Sequence, residues 1–167
     1  MLGPHSSTFV MYDEEAKRIN AVIDKLLCEA NAKMIFLVDK NGQLIAACGA
    51  TEHLDTTGLA SLTAGNIAAT GGLAKLIGEK EFSILFHEGE KDNIHISIVA
   101  QRVILVVIFD YHSSLGLVRL RVKRASSQLA TIFDDLARKT VAVAEQGGDP
   151  DSPFAEITDD DIDNLFR

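Results

Sequence analysis

Residues 54–77 read LDTTGLASLTAGNIAATGGLAKLI, and the fold turns on how they are read. The larger apolar side chains fall at Leu59, Leu62, Ile67, Leu73, Leu76 and Ile77. This spacing predicts a helix from Leu54 to Ile77 with those residues as its core-facing stripe. Much of the rest is small: Gly58, Ala60, Ser61, Ala64, Gly65, Ala68, Ala69, Gly71 and Gly72. A helical glycine is less favourable than alanine by about 1 kcal/mol, so four of them leave stability to packing. The small, almost uncharged second face implies close approach of another element. Two readings stand side by side: a helix buried under its own sheet, or one held between its sheet and a partner. Asp55, Thr56 or Thr57 is available as the cap, and Gly78 as the terminator.

Before this stretch, residues 1–10 mix Gly, Pro, His and Ser and read as a frayed end. Asp13 to Ala30 reads as a helix, capped by Asp13 and ended by Asn31, with Ile19, Val22, Ile23, Leu26 and Leu27 as its apolar face. The charged Glu14, Glu15, Lys17, Arg18, Asp24 and Lys25 fall largely elsewhere. Strands follow at Lys33–Val38 and Gln43–Cys48. They are joined by Asp39-Lys-Asn-Gly42, in which Asn-Gly supplies the positive dihedrals of a hairpin turn.

After it come three strands. Phe82–His87 is the first. Asn93–Ala100 alternates, with Ile94, Ile96 and Ile98 on one face and His95, Ser97 and Val99 on the other. Val103–Phe109 is nearly all apolar and suits a central strand. Gln101 and Arg102 form the tight connection between the last two. A third helix starts near Ser113 or Ser114 and carries Leu115, Val118, Val122, Ala125, Leu129, Ile132, Phe133 and Leu136 at helical spacing. Its early exposed surface is basic at Arg119, Arg121, Lys123 and Arg124, which reads as a solvated face or as a site for an acidic segment.

The order α-β-β-α-β-β-β-α implies an α/β fold, a sandwich with one five-stranded, mainly antiparallel sheet. Two helices would lie on one face and the middle helix alone on the other. The apolar pattern weakens after about Thr140, so the domain is read as residues 11–140 and residues 141–156 as a linker. Residues 157–167 are a short acidic amphipathic segment, with Thr158 and Asp161 at capping-box spacing. The net charge of −8 sits mainly at this end: residues 149–167 hold seven acids and one base. Apolar residues on so acidic a peptide point to docking, in cis or in trans, with helix-in-groove recognition as the mode, the alternative being a plain disordered tail.

At 167 residues, 47% hydrophobic and 24% charged, the chain suits one folded domain with short extensions. The apolar run Val103–Phe109 is too short to cross a bilayer, and no basic-then-apolar leader opens the chain. Cys28 and Cys48 lack metal or redox spacing and read as two buried free thiols in a reducing cytoplasm. No phosphate-binding loop or dinucleotide fingerprint occurs. His53, His87, His95 and His112 lack ligand spacing, and Asp159-Asp160-Asp161 lacks that of a calcium loop. Asp110-Tyr-His112 reads as a structural or interaction loop, and the basic patch lacks the aromatics of a nucleic-acid surface. No self-sufficient active site, metal or cofactor is expected.

Four segments carry a resemblance: FLVDKNGQLIAA (Phe36–Ala47), LDTTGLASLTAGNIAATGGLAKLIGE (Leu54–Glu79), FHEGEKDNIHISIV (Phe86–Val99) and VILVVIFDYHSSLGLVRLRVKRAS (Val103–Ser126). With SPFAEITDDDIDNLF (Ser152–Phe166), they resemble the bacterial Roadblock/LC7 domain proteins that serve a Ras-like small GTPase of the MglA type. The stretch Ala137–Gly148 departs from the commoner family pattern by lengthening the linker or last helix.

The resemblance implies a profilin-like sandwich and a homodimer whose sheets join edge to edge and whose middle helices pack side by side. It implies a regulator with no active site of its own, cytoplasmic and at work in cell polarity or gliding motility. Such a regulator accelerates GTP hydrolysis without an arginine finger, by repositioning the switch segments and catalytic residues that the GTPase owns. Carried over residue by residue, the platform for GTPase and dimer is Thr57, Ser61, Thr63, Ala64, Asn66, Ala68, Ala69, Thr70 and Lys75, and the sheet edge is Glu88–His95. The tail anchors are Phe154, Ile157, Ile162, Leu165 and Phe166, with Asp159, Asp160, Asp161 and Asp163 steering toward a basic surface. Two other functions remain open: a dimeric scaffold, and a small-ligand sensor favoured by a large enclosed polar pocket.

Overall fold

A computed structural model describes residues 11–146, with side chains through 144. The expectations for residues 1–10 and for the tail, including Phe154, Ile157, Ile162, Leu165 and Phe166, lie outside the described residues.

The first helix, α1 (Asp13–Glu29), buries Ile19, Ile23 and Leu26. Asp13 does not cap it; Tyr12 is the cap residue and makes no side-chain cap bond. Asn31 ends it with φ +49. Ala32 N donates to Leu27 O at 3.1 Å and Asn31 N to Cys28 O at 3.3 Å, which satisfies the last carbonyls in a Schellman motif.

Strands β1 (Met34–Asp39) and β2 (Leu44–Gly49) pair antiparallel. In their turn only Gly42 has a positive φ, +88. Asn41 therefore does not share the left-handed role expected of it. The register shifts between Leu37 and Val38, and Asp39 Oδ1 accepts from Asn41 N and Gln43 N, each at 2.9 Å. A turn with one left-handed glycine and a bulge replaces the two-residue turn.

The middle helix, α2 (Thr56–Leu76), starts at Asp55, whose side chain accepts from Gly58 N at 2.9 Å. A Cβ on Gly58 would come within 2.4 Å of Asp55 Oδ2, so the cap needs glycine there. Gly78, φ +82, closes the helix through Glu79 N to Ala74 O at 2.9 Å.

Strands β3 (Ile84–Glu88), β4 (Asn93–Val99) and β5 (Val103–Phe109) complete an all-antiparallel sheet of order β2-β1-β5-β4-β3. The edges are thus β2 and β3. Glu88–His95 is not the edge, apart from Glu88: it spans the β3–β4 turn, and His95 is buried in an interior strand. The β4–β5 turn is centred on Ala100 (φ +51) and Gln101 (φ +58), one residue earlier than expected. The third helix, α3 (Leu115–Gln146), starts at Ser114, whose Oγ accepts from Leu117 N at 3.2 Å. It runs through residues 141–146, which had read as linker.

Each sheet face supports its own core. Ile35, Leu37, Val99, Leu105, Val107 and Phe109 pack with α1 and α3. Met34, Phe36, Val38, Ile96, Ile104 and Val106 pack under α2. Fully burying such a side chain contributes about 1.5–3 kcal/mol. The α/β/α layering, with α2 alone on its face, is as the sequence implied.

The orientation of α2 is not. The residues turned to the sheet are mainly small: Ala60, Thr63, Ile67 and Ala74 are buried, and Leu59 and Ala64 pack beside them. Of the expected core stripe, Leu62 is 76% exposed, Leu73 53%, Leu76 84% and Ile77 65%. The sheet already presents large side chains on this face, and small residues on the helix let it approach them closely. The small flank therefore packs inward and the leucines outward.

The two thiols also differ from expectation: Cys28 is exposed and Cys48 half-buried.

Candidate functional site

Residues three and four apart share a helix face, and on α2 this rule joins Leu62, Gly65, Ala69, Gly72, Leu73 and Leu76 in one outward stripe. A Cβ on Gly65, Gly71 or Gly72 would meet nothing within 4 Å. Packing among the described residues therefore does not require these glycines. Four large apolar groups on one exposed helix are unusual for a surface that faces only water.

Beside the leucine stripe runs a second, through Thr57, Ser61, Ala68 and Lys75, all exposed. Lys75 is the only charged side chain on α2. Of the nine platform residues expected, these four and Ala69 are exposed. Thr63 is buried against the sheet, and Ala64 packs on the same core. Thr70 Oγ1 donates to Asn66 O at 2.9 Å and to Ile67 O at 3.2 Å, so its hydroxyl is spent on its own helix. The Asn66 amide donates to His87 Nε2 at 3.1 Å and ties α2 to edge strand β3. Leu62, Leu73, Leu76 and Ile77 are the surface residues that sequence reasoning placed inside. The signal that could have found them was the apolar content of both faces of β1 and β5.

The frame around α2 is well fixed. The β1–β2 turn leans on its first half, where a Cβ on Gly42 would lie 3.2 Å from Ser61 Cα. From the same turn Lys40 reaches Glu81, in the α2–β3 connection, at 3.3 Å. Asp110 accepts from His112 N at 3.0 Å and lies 2.8 Å from its ring. These bonds, the backbone one first, hold its carboxyl below the usual range. Burial pushes the Cys48 thiol up to about 12. Among the described residues no group of three or more His, Cys, Asp or Glu is placed to hold a metal ion. Nor is any of the described helices long and apolar enough to cross a membrane.

The Roadblock/LC7 domain model matches residues 18–109. The chain belongs to the Roadblock/LC7 family. Among solved structures of the family, Myxococcus xanthus MglB is 64% identical, with a TM-score of 0.73 over 76% of this chain and 96% of that one. The gliding protein MglB from Thermus thermophilus is 35% identical, with a TM-score of 0.72 over 77% of this chain and 97% of that one. Acanthamoeba castellanii profilin IA, at 11% identity and a TM-score of 0.50 over 66% of this chain and 95% of that one, shares the fold alone. No curated protein matches the chain. The Roadblock/LC7 match ends at residue 109, so α3 lies beyond the matched segment. The outward face of α2 lies within it.

Proposed function

We propose that this chain is an MglB-type regulator: a homodimer that binds a Ras-like small GTPase of the MglA type and accelerates its GTP hydrolysis. The observation that carries the reading is the outer face of α2, where Leu62, Leu73, Leu76 and Ile77 stand exposed beside glycines with open space above them. Two copies of such a helix can approach closely at the glycines and bury their leucines against each other. The stripe of Thr57, Ser61, Ala68 and Lys75 then borders the joined helices as a nearly uncharged platform for the GTPase. The 64% identity to Myxococcus xanthus MglB supports the same assignment.

The chemistry belongs to the GTPase. α2 offers Lys75 as its one cation and no arginine, so it supplies no arginine finger. A platform of this kind lowers the barrier by holding the GTPase's switch segments and its own catalytic groups where charge develops on the transferred phosphoryl. The setting is cell polarity or motility in the cytoplasm, and the acidic tail makes a separate regulatory contact with the GTPase.

Phosphate release from a GTP-loaded MglA-type GTPase, with and without this chain at saturation, tests the proposal. Acceleration is expected, and its loss in Lys75→Glu with the dimer intact would place the GTPase on the second stripe. No acceleration by the unaltered chain would leave a dimeric scaffold as the function.

A further inference from the structure

A groove of about 540 Å³ lies on the other side of the sheet from α2, between the first half of α3 and strands β3 and β4. Its floor contains His95 and Ser97, 0% and 5% exposed. Neither ring nitrogen of His95, nor the Ser97 hydroxyl, has a hydrogen-bond partner among the described residues. Buried polar groups are rarely left so, and two neighbours on one strand face the same groove. Ile84 and Val122 give it apolar walls. Arg119 and Lys123 line it from α3, exposed and in no ion pair among the described residues. Arg124, one residue beyond Lys123, adds charge to the same stretch of helix.

The groove thus asks for an occupant that is apolar, acidic and able to hydrogen-bond at depth. The chain's own sequence contains one. Residues 154–166 read FAEITDDDIDNLF, with four Asp, one Glu and no base among five large apolar side chains. We propose that this segment docks in the groove of its own protomer. Its apolar residues lie on Ile84 and Val122, its acids meet Arg119 and Lys123, and its polar groups reach toward His95 and Ser97.

The reach is sufficient. From Ser127, on the groove, to Gln146, the end of α3, the helix rises about 29 Å. An extended chain from Gln146 to Ile157 spans about 36 Å. Residues from 157 onward can therefore return along α3 to the groove, while residues 147–153, with two Gly and two Pro, supply the connection. The contact is within one chain and does not rest on the GTPase reading. Its consequence is regulatory: a tail seated here is withheld from any partner it would otherwise meet.

Nuclear magnetic resonance of the ¹⁵N-labelled full chain tests the proposal against the full-length variant Ile162→Asp, Leu165→Asp, Phe166→Asp. The amides of residues 95–98 and 119–127 and the His95 ring should shift between the two. Adding a synthetic peptide of residues 152–167 to the variant should return them toward the original positions. Arg119→Glu with Lys123→Glu should abolish the difference. Adding Asp159→Lys and Asp161→Lys to that pair should restore it, which separates lost charge from lost fold. Identical groove resonances in the full chain and the tail variant would overturn the proposal. So would shifts confined to α2, or shifts that grow with protein concentration and so report a tail from another molecule.

Discussion

Glu15 shows what a single residue does when its surroundings override its type. It is 1% exposed within the core-facing side of α1, where the charge pattern alone had placed it among the solvated residues. Lys139 of α3 pairs with its carboxylate, and the same ammonium lies 5.7 Å from the centre of the Tyr12 ring. The Lys139 hydrogen bond holds the Glu15 carboxyl below the usual range, against the opposing effect of burial. Lys139 is raised above its ordinary value by the same bond. The sign follows from linkage. The pair's contribution is fully present between the two ordinary values. It is lost as pH falls through the lowered Glu15 value, and lost again as pH rises through the raised Lys139 value. Lys139→Met strands a buried carboxylate, so it should destabilise more than Glu15→Gln at neutral pH. The gap should close in acid, as urea midpoints measured from pH 7 to pH 3 would show.

The cysteines separate at the same scale. Cys28 is exposed, whereas the Cys48 thiol is half-buried, pushed up to about 12 mainly by burial, and donates to Ile23 O at 3.5 Å. A thiol-specific reagent at pH 8 should modify Cys28 at least about a hundredfold faster than Cys48 in the folded chain. Equal rates would mean that α1 and β2 part readily.

At the scale of elements, one turn and one helix, with the glycine that closes it, carry measurable strain or slack. The β4–β5 turn holds Ala100 and Gln101 in the left-handed region, which disfavours residues with a Cβ. Gln101→Gly should raise unfolding stability by about 0.5–1 kcal/mol, read from denaturant midpoints at unchanged slope. Gly72 in α2 has a helical backbone and open space where a Cβ would stand. Gly72→Ala should therefore stabilise an isolated protomer by about 1 kcal/mol while weakening self-association in sedimentation. A gain in both would show that α2 does not meet a second copy at its glycines. Gly78→Ala should instead destabilise, because φ is +82 at the close of the helix.

For the whole molecule, one sheet separates two surfaces of different character. The α2 side presents leucines beside glycines; the α1/α3 side carries the basic groove. Replacing Leu62 and Leu76 together with glutamate should lower dimer affinity on the order of a hundredfold or more while the protomer stays folded. Both side chains are already exposed, at 76% and 84%, so the core loses nothing. Analytical ultracentrifugation reports the affinity, and an unchanged dimer would move the interface elsewhere, with edge strand β3 the next candidate.

Element order, strand identity and layering were legible in the chain because each rests on local periodicity or turn chemistry. Examples are the alternation of Asn93–Val99, the apolar run of β5, the Asp55 cap and Gly78. The weight placed on α2 as a contact surface rested on the same kind of local signal, its small residues and low charge. What local pattern does not encode is which flank of an almost uniformly apolar helix turns inward. Only the tertiary structure decided that. The sheet's Met34, Phe36, Ile104 and Val106 fill the space beneath α2, so its alanines and Thr63 fit there and its leucines do not. The pairing of Glu15 with Lys139, 124 residues away, and the edge position of β3 likewise depend on contacts that no sequence window contains.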